Sequence, residues 1–62
     1  MKIIYRDKVF ELHGRTTLRD AIKKIGLQPD AVLGMREGKL MTDDLIVEDT
    51  DTVHLIAVVS GG

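Results

Sequence analysis

A single amphipathic helix constrains this chain more than any other feature of its sequence. The apolar residues that recur with helical spacing are Leu18, Ala21, Ile22 and Ile25. Thr17 is suited to cap the start of this helix, Gly26 to end it in a left-handed conformation, and Pro29 to block its continuation. A helix with one apolar stripe must bury it against another element, and the other apolar stretches are typical of strands. We therefore expect one helix laid across one sheet.

The order of the remaining segments defines the predicted fold. Strands are predicted at residues 1–6, 9–13, 31–36, 39–41 and 52–59, and a helical turn at residues 45–47. This order predicts an α+β chain of the β-grasp type, with a mixed sheet of four to five strands and one main helix packed across it. In that arrangement the first and last strands pair in parallel at the centre of the sheet. Residues 1–59 are expected to form the domain, and residues 60–62 a flexible diglycine tail.

The size and composition of the chain exclude several classes of function. Its 62 residues suffice for one small domain, which is too small to enclose a substrate-sized pocket easily. Without cysteine it has no disulfide, thiol nucleophile or thiolate metal site, and it is expected to reside in the cytoplasm. A net charge of −1 gives no indication of direct nucleic-acid binding. No apolar run reaches the roughly 20 residues of a membrane span. These limits favour a binding or carrier module over an enzyme.

No group of side chains indicates catalysis. The two histidines, His13 and His54, show no metal-ligand spacing and are interpreted as surface residues. The acidic stretch at residues 43–51 does not match a calcium loop. We interpret it as a solvated turn, with a contact for basic residues of a partner as the alternative. Ser60 is the only serine, and nothing in the sequence arranges a general base beside it. We therefore predict no catalytic residue, no metal and no cofactor.

The last predicted strand is apolar on both of its faces. One alternating set is Val53, Leu55, Ala57 and Val59, and the other is His54, Ile56, Val58 and Ser60. One set must face the helix, and the chain has no second helix to cover the other. A buried central strand is often apolar throughout, which is the simpler interpretation. Because an exposed apolar patch usually marks a partner site, we instead predict a partner-binding face formed by His54, Ile56, Val58 and Ser60.

The last strand leads into two residues without side chains, Gly61 and Gly62. Such a pair can enter a channel too narrow for any other residue. It would deliver one functional group there, the α-carboxylate of Gly62. We therefore predict that Gly61 and Gly62 form a reactive C-terminus.

The order of elements, the length and the stretch Val58-Val59-Ser60-Gly61-Gly62 resemble the ubiquitin-like small sulfur carriers. This is the family of the thiamine and molybdopterin sulfur carriers, the ThiS/MoaD type. Within it, the chain is most similar to small bacterial and archaeal members that serve tRNA thiolation or protein modification. The resemblance covers the whole chain by topology, and the tail alone is specific as a motif. The stretch Thr52-Val53-His54-Leu55-Ile56 is also similar to the last strand of ubiquitin.

This resemblance implies a function for the tail. An ATP-dependent activating enzyme would bind the sheet face and adenylate the Gly62 carboxylate. A persulfide donor, such as a cysteine desulfurase or a rhodanese, would then convert it to a thiocarboxylate. A downstream sulfur-using enzyme would accept the sulfur, in thiamine biosynthesis or tRNA thiolation. Two alternatives stay open: a ubiquitin-like modifier that forms isopeptide bonds, and a β-grasp docking module whose tail does not react.

Overall fold

The computed structural model describes residues 1–58, which contain seven strands, one α-helix and one 3₁₀ turn. The strands are β1 (Lys2–Tyr5), β2 (Lys8–Glu11), β3 (Thr16–Thr17), β4 (Val32–Arg36), β5 (Lys39–Met41), β6 (Ile46–Val47) and β7 (Thr52–Ala57). The helix α1 spans Leu18–Lys24, and the 3₁₀ turn spans Pro29–Ala31. The predicted tail at residues 60–62 and the predicted strand residue Val59 lie outside the described residues.

Five of the strands form one mixed sheet in the order β2-β1-β7-β4-β5. The central strand β7 pairs in parallel with β1, where Ile3 lies opposite Val53. It pairs antiparallel with β4, where Gly34 lies opposite Leu55. The hairpins β1–β2 and β4–β5 supply the two edges of the sheet. The predicted β-grasp arrangement is confirmed, with the first and last strands parallel at its centre.

The β4–β5 hairpin closes through a two-residue turn at Glu37 and Gly38, with φ angles of 54° and 78°. Positive φ at both central residues is typical of a type I′ turn, whose twist matches that of the paired strands. The turn fixes the register of the hairpin and sets Met35 opposite Leu40. Both side chains therefore point to the same side of the sheet.

Both ends of α1 are capped by the residues that the sequence predicts. The Thr17 hydroxyl accepts a hydrogen bond from the Asp20 backbone N–H at 3.2 Å. At the other end, Gly26 has a φ of 87°. Its N–H donates to the Lys23 carbonyl at 3.0 Å, and the Leu27 N–H donates to the Ile22 carbonyl at 3.1 Å. These two bonds form a Schellman motif, which satisfies carbonyls that a helix end would otherwise leave unpaired.

The core lies between α1 and the sheet. Its largest fully buried side chains are Ile3, Leu18, Ile22, Val47 and Val53. The helix comes closest to the sheet over Gly34, where an added Cβ atom would lie only 2.6 Å from Leu18 Cδ2. Gly34 is therefore required for packing, because it leaves room for the Leu18 side chain.

The predicted helical turn at residues 45–47 is wrong. Ile46–Val47 forms the strand β6, which pairs antiparallel with β3 as a separate two-stranded sheet. The start of α1 explains the difference, because its first N–H groups need acceptors. The Leu18 N–H donates to the Leu45 carbonyl and the Arg19 N–H to the Asp43 carbonyl, each at 2.8 Å. The carbonyls of Asp43 and Leu45 therefore accept hydrogen bonds from the start of α1. Val47 is fully buried.

Candidate functional site

The side of the five-stranded sheet that faces away from α1 carries a row of mostly apolar residues. One residue from each strand takes part, in the order Val9, Ile4, His54, Met35 and Leu40. A second, shorter row places Leu33 opposite Ile56. Residues directly opposite each other on paired strands point to the same side of a sheet. These seven residues therefore share one surface, here called the outer face.

The apolar side chains of the outer face are largely open to solvent. The exposed fractions are 66% for Leu40, 60% for Val9, 45% for Ile56 and 43% for Leu33. Ile4 and Met35 are half-buried, and His54 is exposed. Soluble proteins rarely leave a contiguous apolar patch uncovered unless it binds a partner. The outer face is therefore the candidate functional surface of the described residues.

The alternation predicted for the last strand agrees with its burial at residues 53–56, whereas Ala57, which belongs to the predicted inward set, is exposed. Val53 and Leu55 point into the core, with exposed fractions of 0% and 6%. His54 and Ile56 point to the outer face and are exposed. Their partner-binding role, and that of the half-buried Val58, stays a prediction. The other predicted site residues, Ser60, Gly61 and Gly62, lie outside the described residues.

Sequence reasoning missed five of the seven residues of the outer face, namely Ile4, Val9, Leu33, Met35 and Leu40. The sequence does carry a signal for each of them, because side chains alternate between the two faces of a strand. What the sequence lacked was the register between strands. The pairing of β1 and β4 on either side of β7 brings Ile4 and Met35 next to His54.

The chain leaves the sheet at Val58, directly after the central strand. The Val58 N–H donates a hydrogen bond to the Ala31 carbonyl at 3.0 Å, which ties the end of β7 to the 3₁₀ turn. Gly62 lies four residues further along the chain, a distance of at most about 14 Å for extended backbone. A single partner that covers the outer face near Ile56 can therefore also reach Gly62.

The part of the acidic stretch at residues 48–51 lies at the other end of β7, about 20 Å from Val58 for six residues of strand. The Asp51 carboxylate accepts hydrogen bonds from the Glu48 N–H and from Arg36 Nη1, both at 2.8 Å. These two donors, the Glu48 N–H above all, hold the pKa of Asp51 below its usual value of 3.8. Arg36 Nη1 also donates to the Ile46 carbonyl at 3.3 Å. Residues 48–51 thus form a folded turn with internal partners, whereas residues 46–47 of the acidic stretch form β6.

Between residues 1 and 58, no group of three or more His, Asp or Glu side chains is placed to hold a metal ion. Within that range neither α1 nor any other helix has the length and apolar character needed to cross a bilayer.

Comparison with known proteins agrees with this geometry. The family model described as the ThiS family matches residues 2–62. The chain belongs to the ThiS family. It is also 31% identical, over 65 residues, to the sulfur carrier protein TtuB of Thermus thermophilus. That alignment covers 100% of both chains.

Membership of the ThiS family confirms the sulfur carrier family that the sequence resembled. Proteins of the ThiS family are small carriers and not enzymes, so the prediction of a carrier module in place of an enzyme is also confirmed. The ThiS match runs to residue 62 and thus includes both terminal glycines.

Proposed function

We propose that this chain carries sulfur as a thiocarboxylate on Gly62, formed after an activating enzyme has adenylated the Gly62 carboxylate. The observation that supports this most strongly is the match to the ThiS family over residues 2–62, because it includes Gly61 and Gly62. The outer face adds a surface on which the activating enzyme can dock. We place this chemistry in the cytoplasm, where ATP is available.

The proposed reaction uses the terminal carboxylate alone. One of its oxygens attacks the α-phosphate of ATP, and pyrophosphate leaves. The terminal sulfur of a persulfide, supplied by a cysteine desulfurase or a rhodanese, then attacks the carbonyl carbon of the adenylate, and AMP leaves. A second thiol reduces the resulting acyl disulfide and releases the thiocarboxylate. One carboxylate oxygen is thereby replaced by sulfur, which a downstream enzyme of thiamine biosynthesis or tRNA thiolation consumes.

In this proposal the protein contributes position and not a catalytic side chain. The outer face binds the activating enzyme, and the two glycines cross a channel that would exclude any side chain. An amine that attacked the same adenylate would give an isopeptide bond instead. The sulfur route is preferred because the relative from Thermus thermophilus is named a sulfur carrier protein.

The proposal is tested with three changes at the tail. Deletion of Gly62 moves the carboxylate back by about 3.5 Å, one residue of extended chain. Gly61→Val adds a β-branched side chain within the channel, and an extra residue after Gly62 moves the carboxylate forward. We expect each change to abolish pyrophosphate release with ATP and the cognate activating enzyme. Intact mass should show one oxygen exchanged for sulfur in the unmodified chain alone.

His13→Gln serves as the control, since His13 is exposed and lies outside the outer face. It should leave pyrophosphate release unchanged. If all three tail variants turn over like the unmodified chain, the carrier proposal is wrong and a docking module takes its place.

A further inference from the structure

The turn between β1 and β2 borders a pocket of about 360 Å³ on the helix side of the sheet, here called the hairpin pocket. Tyr5 and Phe10 form part of its wall, and they are the only Phe, Tyr or Trp residues in the sequence. Ile25 and Leu27, which follow α1, complete the apolar wall. All four side chains are half-buried. The hairpin pocket therefore presents aromatic and apolar surface that the core does not cover.

The rim of the hairpin pocket consists of Arg6, Asp7 and Lys8, whose side chains are exposed. The Arg6 guanidinium carbon lies 5.2 Å from the centroid of the Tyr5 ring, within the range of a cation–π contact. Arg6 has a φ of 57°, a left-handed conformation that glycine adopts more easily. A long cationic side chain thus stands over the aromatic wall despite an unfavourable backbone conformation.

The positive charges around the hairpin pocket are not neutralised by ion pairs of the chain. Three of the four ion pairs in residues 1–58 use a carboxylate of residues 48–51, at the start of β7, and the fourth joins Arg19 to Asp43. The cations that rim the pocket or lie in the last turn of α1, just before Ile25, are Arg6, Lys8, Lys23 and Lys24. Within residues 1–58 none of these four takes part in an ion pair. Asp7 is the one carboxylate on the rim, so positive charge predominates there.

The hairpin pocket lies at the end of the sheet from which residues 59–62 continue. β1 runs parallel to β7, with Tyr5 opposite Leu55. The turn at Arg6 and Asp7 follows Tyr5 directly, so it stands beside the last residues of β7, at a strand spacing of about 4.8 Å. A protein that binds the end of the chain, within about 14 Å of Val58, therefore lies close to this turn. The activating enzyme of the proposed function is such a protein.

We propose that the activating enzyme binds the hairpin pocket with an acidic segment, whose carboxylates pair with Arg6 and Lys8. An apolar or aromatic side chain of the same segment packs against Tyr5 and Phe10. The inference rests on the proposed function, which supplies the enzyme. Charge complementarity selects an acidic segment, because a basic one would face the cations of the rim. A protein segment fits better than a small molecule, because the charged groups of the rim are all exposed and none is held in place by burial to orient a small ligand.

The experiment measures the dissociation constant between the purified chain and its cognate activating enzyme, without ATP, in 0.1 M and 1 M salt. The screening length falls from about 10 Å to about 3 Å over this range. Arg6→Gly removes the guanidinium and suits the left-handed backbone, so the fold is expected to be retained. We expect it to weaken binding about tenfold in 0.1 M salt and to reduce the dependence of binding on salt. Lys8→Gln is expected to act in the same direction.

Lys39→Gln is the matched control. Lys39 is exposed and points to the same side of the sheet as Lys8, but it lies on β5, beside the β4–β5 turn at the other end. The control makes the same change in net charge as the two rim variants and is expected to bind like the unmodified chain. Circular dichroism checks that each variant is folded.

A cross-linking experiment identifies the segment that occupies the pocket. The chain has no cysteine, so Asp7→Cys supplies a single thiol for a photoactivatable cross-linker. Mass spectrometry of the complex is expected to find this label on an enzyme segment rich in Asp and Glu. The same label on Lys39→Cys is not expected to reach that segment.

The outcomes separate this inference from the proposed function. Binding of Arg6→Gly and Lys8→Gln like that of Lys39→Gln overturns the inference, and so does a cross-linked segment without acidic residues. A loss of affinity that is equal in both salt concentrations also contradicts it, because the contact would not be electrostatic. Pyrophosphate release that requires Gly62 supports the proposed function in each of these cases. If the unmodified chain gives no pyrophosphate release with the enzyme, the proposed function itself is wrong.

Discussion

At the scale of single residues, a residue without a side chain leaves the space that a buried leucine fills. Gly34 on β4 lies under Leu18 of the helix, and an added Cβ would be 2.6 Å from Leu18 Cδ2. Leu18 is only 1% exposed, so its side chain has little room to turn away. Overpacking of a well-packed core costs about 1–3 kcal/mol.

Gly34→Ala is therefore expected to lower the free energy of unfolding by about 1–3 kcal/mol. Leu18→Ala removes the atoms that the new methyl group would meet, and by itself it should cost about 2–5 kcal/mol. In the double variant the methyl group finds space, so the two costs should not add. Urea unfolding of the four chains measures this. Additive costs would show that the two residues do not compete for one space.

A second prediction for a single residue concerns Ile22, in the apolar stripe of α1. Ile22 is 1% exposed, and Ile22→Ala is expected to cost about 2–5 kcal/mol because it leaves a cavity. Ile56→Ala is the matched control, since Ile56 is 45% exposed and its truncation should cost less than about 1 kcal/mol. Denaturant titration compares the two, and similar losses would contradict the assignment of the core.

At the scale of elements, β7 contributes to the core with one side and to the exposed outer face with the other, because its side chains alternate. Its inward residues Val53 and Leu55 hold the helix, and its outward residues His54 and Ile56 are exposed. Because the period of a strand is two, a substitution on the outward side can change the surface without entering the core.

Ile56→Asp is therefore expected to leave the fold intact and to weaken binding to the activating enzyme at least tenfold, since it places a charge in an apolar contact. Leu45→Asp is the matched control, because Leu45 is 40% exposed and lies outside the outer face. The control should bind normally. Calorimetry gives the affinity and circular dichroism the fold, and an unfolded Ile56→Asp variant would mean that Ile56 supports the core.

A comparison of α1 with β6 shows which elements the sequence alone predicts. The limits of α1 were predictable because Thr17 and Gly26 act on residues within five positions of themselves. The strand β6 was not, because its conformation depends on pairing with β3, about thirty residues earlier in the chain. Local rules favoured a turn at this point, and contacts between distant residues decided otherwise.

The residues of the outer face also fall into two groups, those that the sequence predicts and those that it does not. His54 and Ile56 were predictable from alternation within one strand. Their neighbours Ile4 and Met35 depend on the register of three strands, two of which are about fifty residues apart in the chain. No local pattern fixes a register of that kind.

At the scale of the whole molecule, the charged turn and the point where the tail departs lie at opposite ends of β7. The turn at residues 48–51 joins the end of β6 to the start of β7 and is held by Asp51. The pKa of the Asp51 carboxyl is lowered by the Glu48 N–H and by Arg36. The ionised carboxylate is therefore better stabilised in the folded chain than in the unfolded one.

A lowered pKa in the folded state gives stability that is present above pH 4 and is lost as the pH falls through the folded pKa. Asp51→Asn is expected to be less stable than the unmodified chain at pH 7, by about 1 kcal/mol. The difference should shrink as the pH falls below 3.8 and through the lowered pKa of the folded state. Asp7→Asn, in the exposed β1–β2 turn, is the control and should follow the unmodified chain. Urea midpoints between pH 7 and pH 2 measure all three.

The central position of β7 has a mechanical consequence. Force applied to the chain beyond Val58 acts along the axis of β7, which is hydrogen-bonded on one side to β1 and on the other to β4. Such a pull shears two ladders at once, so many hydrogen bonds resist together. An edge strand peeled sideways would lose them one at a time. The sheet can thus bear tension applied at the Val58 end of β7 while both ladders of that strand stay paired.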